Sequence, residues 1–262
     1  MAAQVTIYGP SGQPLPAADL ARARKGALHG GGWQRPYAGA DPGGQDLSGW
    51  HPGTWSPDAA LAGDRQRLSD RLHDLVRNDG WAAGTVTAFV DAAIGPAFRL
   101  NSAPDYEALG ISFEAAIELG HQIERVWRGH ASDPRRYADA ARARSLQSLM
   151  ALLFRHVVID GEALVLPLFR QVPGYPLATT FQAVHPARLS NPNEQPDDYR
   201  LRGGVEIDDF GAAIAYHIRA SHPGDLQMPG ADPFVWERVP REWSGGRPRA
   251  RHHFLAGELE QH

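Results

Sequence analysis

Residues 145–169, SLQSLMALLFRHVVIDGEALVLPLF, decide the reading of the fold. Leu146, Leu149, Met150, Leu152 and Leu153 recur at helical spacing. EALVLPLF, from residue 162, is a run of β type. Between them Asp160 and Glu162 flank Gly161. Neighbouring carboxylates can hold an ion or move a proton, but acid–glycine–acid is also what a bend requires. Asp160 and Glu162 would share a side only if a strand ran straight through Gly161, and glycine there favours a bend. Asp160 is therefore expected to hydrogen-bond local backbone and Glu162 to open a strand. The joint divides the chain into a helical part before it and a β-rich part after it.

On the N-terminal side, residues 56–156 read as helical. Ser56-Pro57-Asp58 is a helix start, with Ser as N-cap, Pro in the first turn and an acid beside it. Leu61, Leu68, Leu72, Leu75 and Val76 continue that helix to RNDG at 77–80. WAAGTVTAFVDAAI, 81–94, is a second helix stopped by Gly95-Pro96, and AFRL after it reads as a short strand. A third helix begins at Ser112, with Phe113, Ala116, Ile117, Ile123, Val126 and Trp127 on one face. A fourth is expected from Tyr137 to His156, after the turn SDPRR at 132–136. Residues 1–55 lack periodicity and are rich in Gly and Pro, an extended arm. Its Trp33, Tyr37, Trp50 and Trp55 are anchors for the arm's own domain or for a neighbouring subunit.

Residues 157–262 carry further short β-type runs: TTFQAVH, GVEID, AIAYHIR, FVWERV and RHHFL. Clusters of Gly, Pro, Asn and Asp separate them. IDDFGAAIAYHI reads as a hairpin turning at Asp208-Asp209-Phe210-Gly211. Arm, helices and then strands make an α+β arrangement, with no internal repeat.

Composition narrows the function. The net charge of −4 argues against a protein that coats nucleic acid over its whole surface. Cysteine is absent, which removes disulfides, thiolate catalysis and cysteine-ligated zinc. No apolar run is long enough to span a membrane, and MAAQVTIYGPSG lacks the pattern of a secretory leader, so a soluble intracellular product is expected. Phosphate-loop and dinucleotide motifs are missing, and HGGGW has no nucleophile elbow beside it.

The remaining candidates are charged groups. Asp160, Glu162, Glu206, Asp208 and Asp209 lie near strand ends, where carboxylates can gather Mg²⁺ for phosphoryl chemistry. Turns demand the same residues, and that reading is preferred. The twelve histidines show no ligand spacing and read as scattered imidazoles. His252 and His253, adjacent on a strand, point to opposite faces, and His217 and His222 flank a loop. Arg135, Arg136, Arg142 and Arg144 form one basic cluster; Arg238, Arg241, Arg247, Arg249 and Arg251 form another. Either could meet phosphates, but solvated faces or salt bridges between subunits fit them better. No catalytic centre, cofactor site or metal site is assigned.

Taken in order, several segments resemble the lambda-type portal proteins of tailed bacteriophages. GWHPGTWSPDAALAGDRQRLSDRLHDLVRND has the family's Trp-containing arm and a helix ending in Arg77-Asn78. GTVTAFVDAAIGPAFRLN is similar to the helix leading into the family's Val-Gly-x-Gly turn, with Gly95 retained and the second glycine missing. Ile123, Glu124 and Trp127 match an Ile-Glu-x-x-Trp helix. Asp160-Gly161-Glu162 matches the family's Asp-Gly-Glu joint. FQAVHPARLSNP, GVEIDDFGAAIAYHI (with Asp208, Gly211 and Tyr216) and HPGD follow in the expected order. RHHFLAGELEQH resembles the family's His-x-Phe strand and the start of its Gln-x-Arg-Gly motif.

The resemblance spans residues 48–262 and implies the N-terminal, wing-like part of a portal, cut short relative to family members about twice as long. It implies a structural subunit, not an enzyme, of a dodecameric ring at one capsid vertex. Double-stranded DNA would pass through the channel without sequence specificity. The partners implied are the large terminase subunit, capsid and head-completion proteins. The implied location is the virion, and the bacterial host cytoplasm during assembly. Two alternatives stand beside it: a Mg²⁺-dependent phosphodiesterase using Asp160, Glu162 and Asp208, and a monomeric phage structural adaptor binding through the aromatic arm.

Overall fold

The computed structural model describes residue 13 and residues 49–95, 98–175 and 177–262. Trp33, Tyr37, Pro96 and Ala97 therefore lie outside the described residues. The chain divides into two compact units, Met1–Thr54 and Trp55–His262, and the described helices and strands belong to the second.

Among the described residues six helices precede the first strand: α1 (Pro57–Ala62), α2 (Arg65–Asn78), α3 (Gly80–Ala93), α4 (Tyr106–Leu109), α5 (Phe113–Ala131) and α6 (Leu146–Asp160). Side-chain caps set their starts. Ser56 accepts from Ala59 N at 3.3 Å, Asp79 from Ala82 N at 2.8 Å, Ser112 from Ala115 N at 3.2 Å and Ser145 from Ser148 N at 3.2 Å. Each cap satisfies an amide the helix cannot pair internally.

The strands are β1 (Glu162–Phe169), β2 (Thr179–Val184), β3 (Leu201–Arg202), β4 (Val205–Ile207), β5 (Ala213–Arg219), β6 (Trp236–Pro240) and β7 (Arg251–Phe254). They form two antiparallel sheets, ordered β2-β1-β7 and β3-β4-β5-β6. In the first, Leu164 stands between Val184 and His252. In the second, Tyr216 stands between Val205 and Val239. One core draws on both sheets: Leu164 and Val184 from the first, and Val205, Ile207, Tyr216, Ile218 and Val239 from the second. The α+β class expected from the sequence is what the chain adopts.

Four expectations need correction. The first helix breaks at Gly63-Asp64 into α1 and α2. Phe98–Leu100 form no strand. The short strand β3, which pairs with β4, was not anticipated. The helix expected from Tyr137 starts only at Leu146. Upstream of it, the buried Asp139 carboxylate accepts the amides of Ala141, Ala143 and Arg144 at 2.9–3.0 Å. Arg136 and Arg142 take positive φ of 57° and 53°, which no helix accommodates. Phe181 exchanges backbone hydrogen bonds with Ala138 and Ala140, so this loop edges the first sheet instead.

Two glycines are required by the backbone. Gly161 caps α6 in the left-handed region, φ 79°, and sends the chain straight into β1. Gly204, φ 91°, lies so close to Ser190 that a Cβ would stand 2.5 Å from its amide nitrogen. β1 runs between β2 and β7, and α6 packs on β1, α2 and α3. The α6–β1 joint is thus the place where the helices meet the first sheet.

Candidate functional site

At this joint the Asp160 side chain is only 2% exposed. It does not bond local backbone, as expected from the turn chemistry; that expectation is overturned. Its Oδ1 accepts from Ser69 Oγ and meets His73 Nε2 at 2.8 Å. Its Oδ2 meets His156 Nδ1 at 2.7 Å. Ser69 and His73 are one turn apart on α2, and His156 and Asp160 one turn apart on α6. The carboxylate therefore ties the two helices together.

Two more imidazoles complete the cluster. His185 follows β2 and opens the 3₁₀ turn Pro186–Arg188; its Nδ1 accepts from Ala187 N at 3.1 Å. His222 makes the same motif before Pro223, accepting from Gly224 N at 3.0 Å. The His185 ring centroid lies 5.5 Å from that of His73, 4.9 Å from His156 and 4.7 Å from His222. The histidines read as scattered in the sequence are thus partly gathered.

Electrostatics follow from this packing. Burial pushes the Asp160 carboxyl upward, but hydrogen bonds from His156 and Ser69 and the charge of His73 outweigh it. The net shift is below the usual aspartate value. His185 is pushed down to about 4, chiefly by burial and then by repulsion from His156 and His222. At neutral pH it is an uncharged ring.

Glu162 belongs to a separate constellation. It opens β1 as expected and is buried, with Arg65 Nη1 at 3.3 Å and His252 Nε2 at 2.6 Å. His252 lies edge-on to the buried Tyr216, ring centroids 5.7 Å apart. His253, the next residue, is exposed, so the two imidazoles do take opposite faces.

Asp208 and Gly211 stand at the β4–β5 turn. The Asp208 carboxylate accepts from Phe210 N and Ala212 N, each at 2.9 Å, and these bonds hold its pKa below the usual range. Gly211 has φ 80°. Asp209 pairs with Arg200 at the surface.

The other family-motif residues sit on the helices. Arg77 and Asn78 end α2, both exposed, with Asn78 donating to Asp74 at 2.7 Å. The Gly95 carbonyl accepts from Gln147 Nε2 at 3.0 Å, linking the end of α3 to α6. On α5, Glu124 accepts Ser102 N at 3.0 Å and Ile123 is exposed. Trp127 Nε1 is buried without a hydrogen-bond partner.

The structure therefore does not bring Asp160, Glu162 and Asp208 to a common ion. Each is engaged by a different set of groups, and the group of potential metal ligands among the described residues is His73, His156 and His185. Members of both basic clusters are also engaged within the chain. Arg135 and Arg142 lie over the Tyr137 ring, Arg238 pairs with Glu206, and Arg249 lies over Trp243. Sequence reasoning missed Ser69, His73, His156 and His185. Its available clue was the four-residue spacing of Ser69/His73 and of His156/Asp160, which places each pair on one helix face.

Comparison with known proteins decides the family. The profile of the phage portal protein, lambda family, matches residues 43–262. The chain belongs to the lambda family of phage portal proteins. It is 35% identical over 224 residues to portal protein B of Escherichia phage lambda, covering 84% of this chain and 41% of that protein. The portal protein of Escherichia phage N15 shows the same identity over the same length. The chain thus spans about two fifths of the length of these curated portal relatives. The lambda-family match includes the Asp160 joint, the Glu162–His252 pair and the Asp208 turn within its bounds.

Proposed function

We propose that this chain is a structural portal subunit, corresponding to the peripheral, wing-like part of a ring at one capsid vertex through which DNA is packaged and ejected. The observation that carries the proposal is the family match along residues 43–262. The geometry supports a role without bond chemistry. The three acids of the phosphodiesterase alternative are each engaged in separate structural contacts. The helices also leave large apolar side chains in solvent: Trp81 and Phe89 on α3, and Phe113, Ile117, Ile123 and Val126 on α5. Surface of that kind suits contact with neighbouring subunits, one face meeting a different face and closing by rotation.

In this reading the partners are further copies of the chain in a dodecameric ring, the large terminase subunit, and capsid and head-completion proteins. DNA passes without sequence specificity, and a net charge of −4 suits passage better than tight phosphate binding. The protein acts in the virion, and in the host cytoplasm during assembly. Among the described residues no helix is long and apolar enough to cross a membrane. The motif residues Arg77, Asn78, Gly95, Ile123, Glu124, Trp127, Asp160, Gly161, Glu162, Asp208, Gly211 and Tyr216 serve folding and subunit contact.

Native mass spectrometry and electron microscopy of the purified chain test the assembly claim. Oligomers or rings that dissociate on Trp81→Asp or Phe113→Asp support it. Monomers alone at high concentration remove self-assembly by this stretch and leave the adaptor reading. A Mg²⁺-dependent cleavage of phosphodiesters lost on Asp160→Asn, with the fold intact, would replace the portal reading.

A further inference from the structure

From the histidine cluster we infer a zinc-type metal site built by His73, His156 and His185, a staple joining α2, α6 and the turn after β2. One nitrogen from each of the three rings lies within 4.8 Å of the corresponding nitrogens of the other two. Tetrahedral zinc with imidazole bonds of about 2.0–2.1 Å sets its nitrogens roughly 3.3 Å apart. The rings must close in by rotating their side chains, and His185 must also release its Ala187 contact. His73 and His156 side chains are 17% and 19% exposed, so an ion reaches them from solvent.

For His73 and His156 the surroundings match what a metal-binding histidine needs. Such a ring donates its other N–H to a carboxylate or carbonyl, which fixes the tautomer and the ring direction. Asp160 does this for two rings at once, taking His73 Nε2 at 2.8 Å and His156 Nδ1 at 2.7 Å. When these rings are neutral, the remaining nitrogen of each offers a lone pair to a metal. On His185, Nδ1 is engaged by the Ala187 amide at 3.1 Å. The nitrogen it offers is Nε2, whose proton moves to Nδ1 as the Ala187 contact lets go. Three imidazole ligands favour zinc, cobalt or nickel over magnesium or calcium, which take oxygen. Water can take the fourth position, since the His222 ring lies against His185 but outside the three-nitrogen group. This inference is independent of the portal reading, because its readout is ion binding and stability.

The test uses the whole chain without an affinity tag, stripped with EDTA and titrated with Co²⁺ and then Zn²⁺. The expected result is one ion per chain at low micromolar Kd, the intense visible bands of tetrahedral Co²⁺, and their loss as Zn²⁺ displaces it. Zinc should also raise Tm. His185→Gln should weaken binding at least tenfold, whereas His253→Gln, on the exposed face of β7, should not change it. If His185→Gln does not fold, NMR of the native chain decides. Zinc should move the ring signals of His73, His156 and His185 and the Ala187 amide, and leave the His252 ring in place. Absence of saturable binding, a pale octahedral Co²⁺ spectrum, binding that survives His185→Gln, or shifts confined to other histidines would overturn the inference.

Discussion

Two acidic glycine turns in this chain look alike in sequence and behave differently. At Asp208-Asp209-Phe210-Gly211 the first carboxylate does the expected work of a hairpin, accepting the amides of Phe210 and Ala212. At Asp160-Gly161-Glu162 the first carboxylate ignores nearby amides and grips Ser69, His73 and His156. Both turns use a left-handed glycine, φ 80° at Gly211 and φ 79° at Gly161. The difference lies in the neighbours. The hairpin tip projects into solvent, with Phe210 95% exposed. The α6–β1 joint is covered by α2, whose Ser69 and His73 supply partners better matched to a carboxylate than water is. A turn motif specifies a bend; burial specifies what its acid bonds to.

Mutations can break this comparison in decreasing order of effect. Asp160→Ala should cost the most, about 2–4 kcal/mol in urea unfolding, because it strands half-buried partners on two helices. A loss no larger than that of Asp208→Ala would show that the joint is only a bend. Gly161→Ala should cost about 1 kcal/mol. Nothing lies within 4 Å of the added methyl, so the penalty is conformational, and Gly161→Asn should recover part of it. Asp208→Ala should lower Tm by a small fraction of the Asp160 effect, since water replaces the carboxylate at an exposed turn.

A pH titration sharpens the hairpin side. Glu206 on β4 is held below its ordinary value of 4.5, first by the Arg238 hydrogen bond and then, against the cost of burial, by His217. Its folded pKa is depressed, so its stabilisation is complete above that value and is lost as pH falls through the folded one. The Tm gap between the native chain and Glu206→Gln should therefore be constant near neutrality and close below pH 4.5. The smallest effect belongs to Phe210→Ser, which should leave stability unchanged within about 0.5 kcal/mol. Any loss of assembly in that variant would mark the tip as a contact.

Much of the fold was legible because it is written locally. Ser56, Ser112 and Ser145 cap helices through their own hydroxyls. Short β-type runs set off by turn residues located β1, β2 and β5, and Asp208 to Gly211 fixed the hairpin. The segment before Ser145 misled, since the helix expected from Tyr137 is overruled by Asp139 binding three amides and by pairing with Phe181. That pairing joins residues some forty apart, and no local pattern announces it.

The amino-acid sequence by itself determined the order of elements, the bend at Gly161 and, through the collinear run of short motifs, membership in the portal family. Tertiary structure alone decided which acids are spacers and which are anchors. Histidines 73, 156, 185 and 222 come from four separate segments and meet only when α2, α6 and the turns after β2 and β5 pack together. Periodicity and capping act over a few residues. The partner of a buried charge is set by whatever the fold brings against it once water has left.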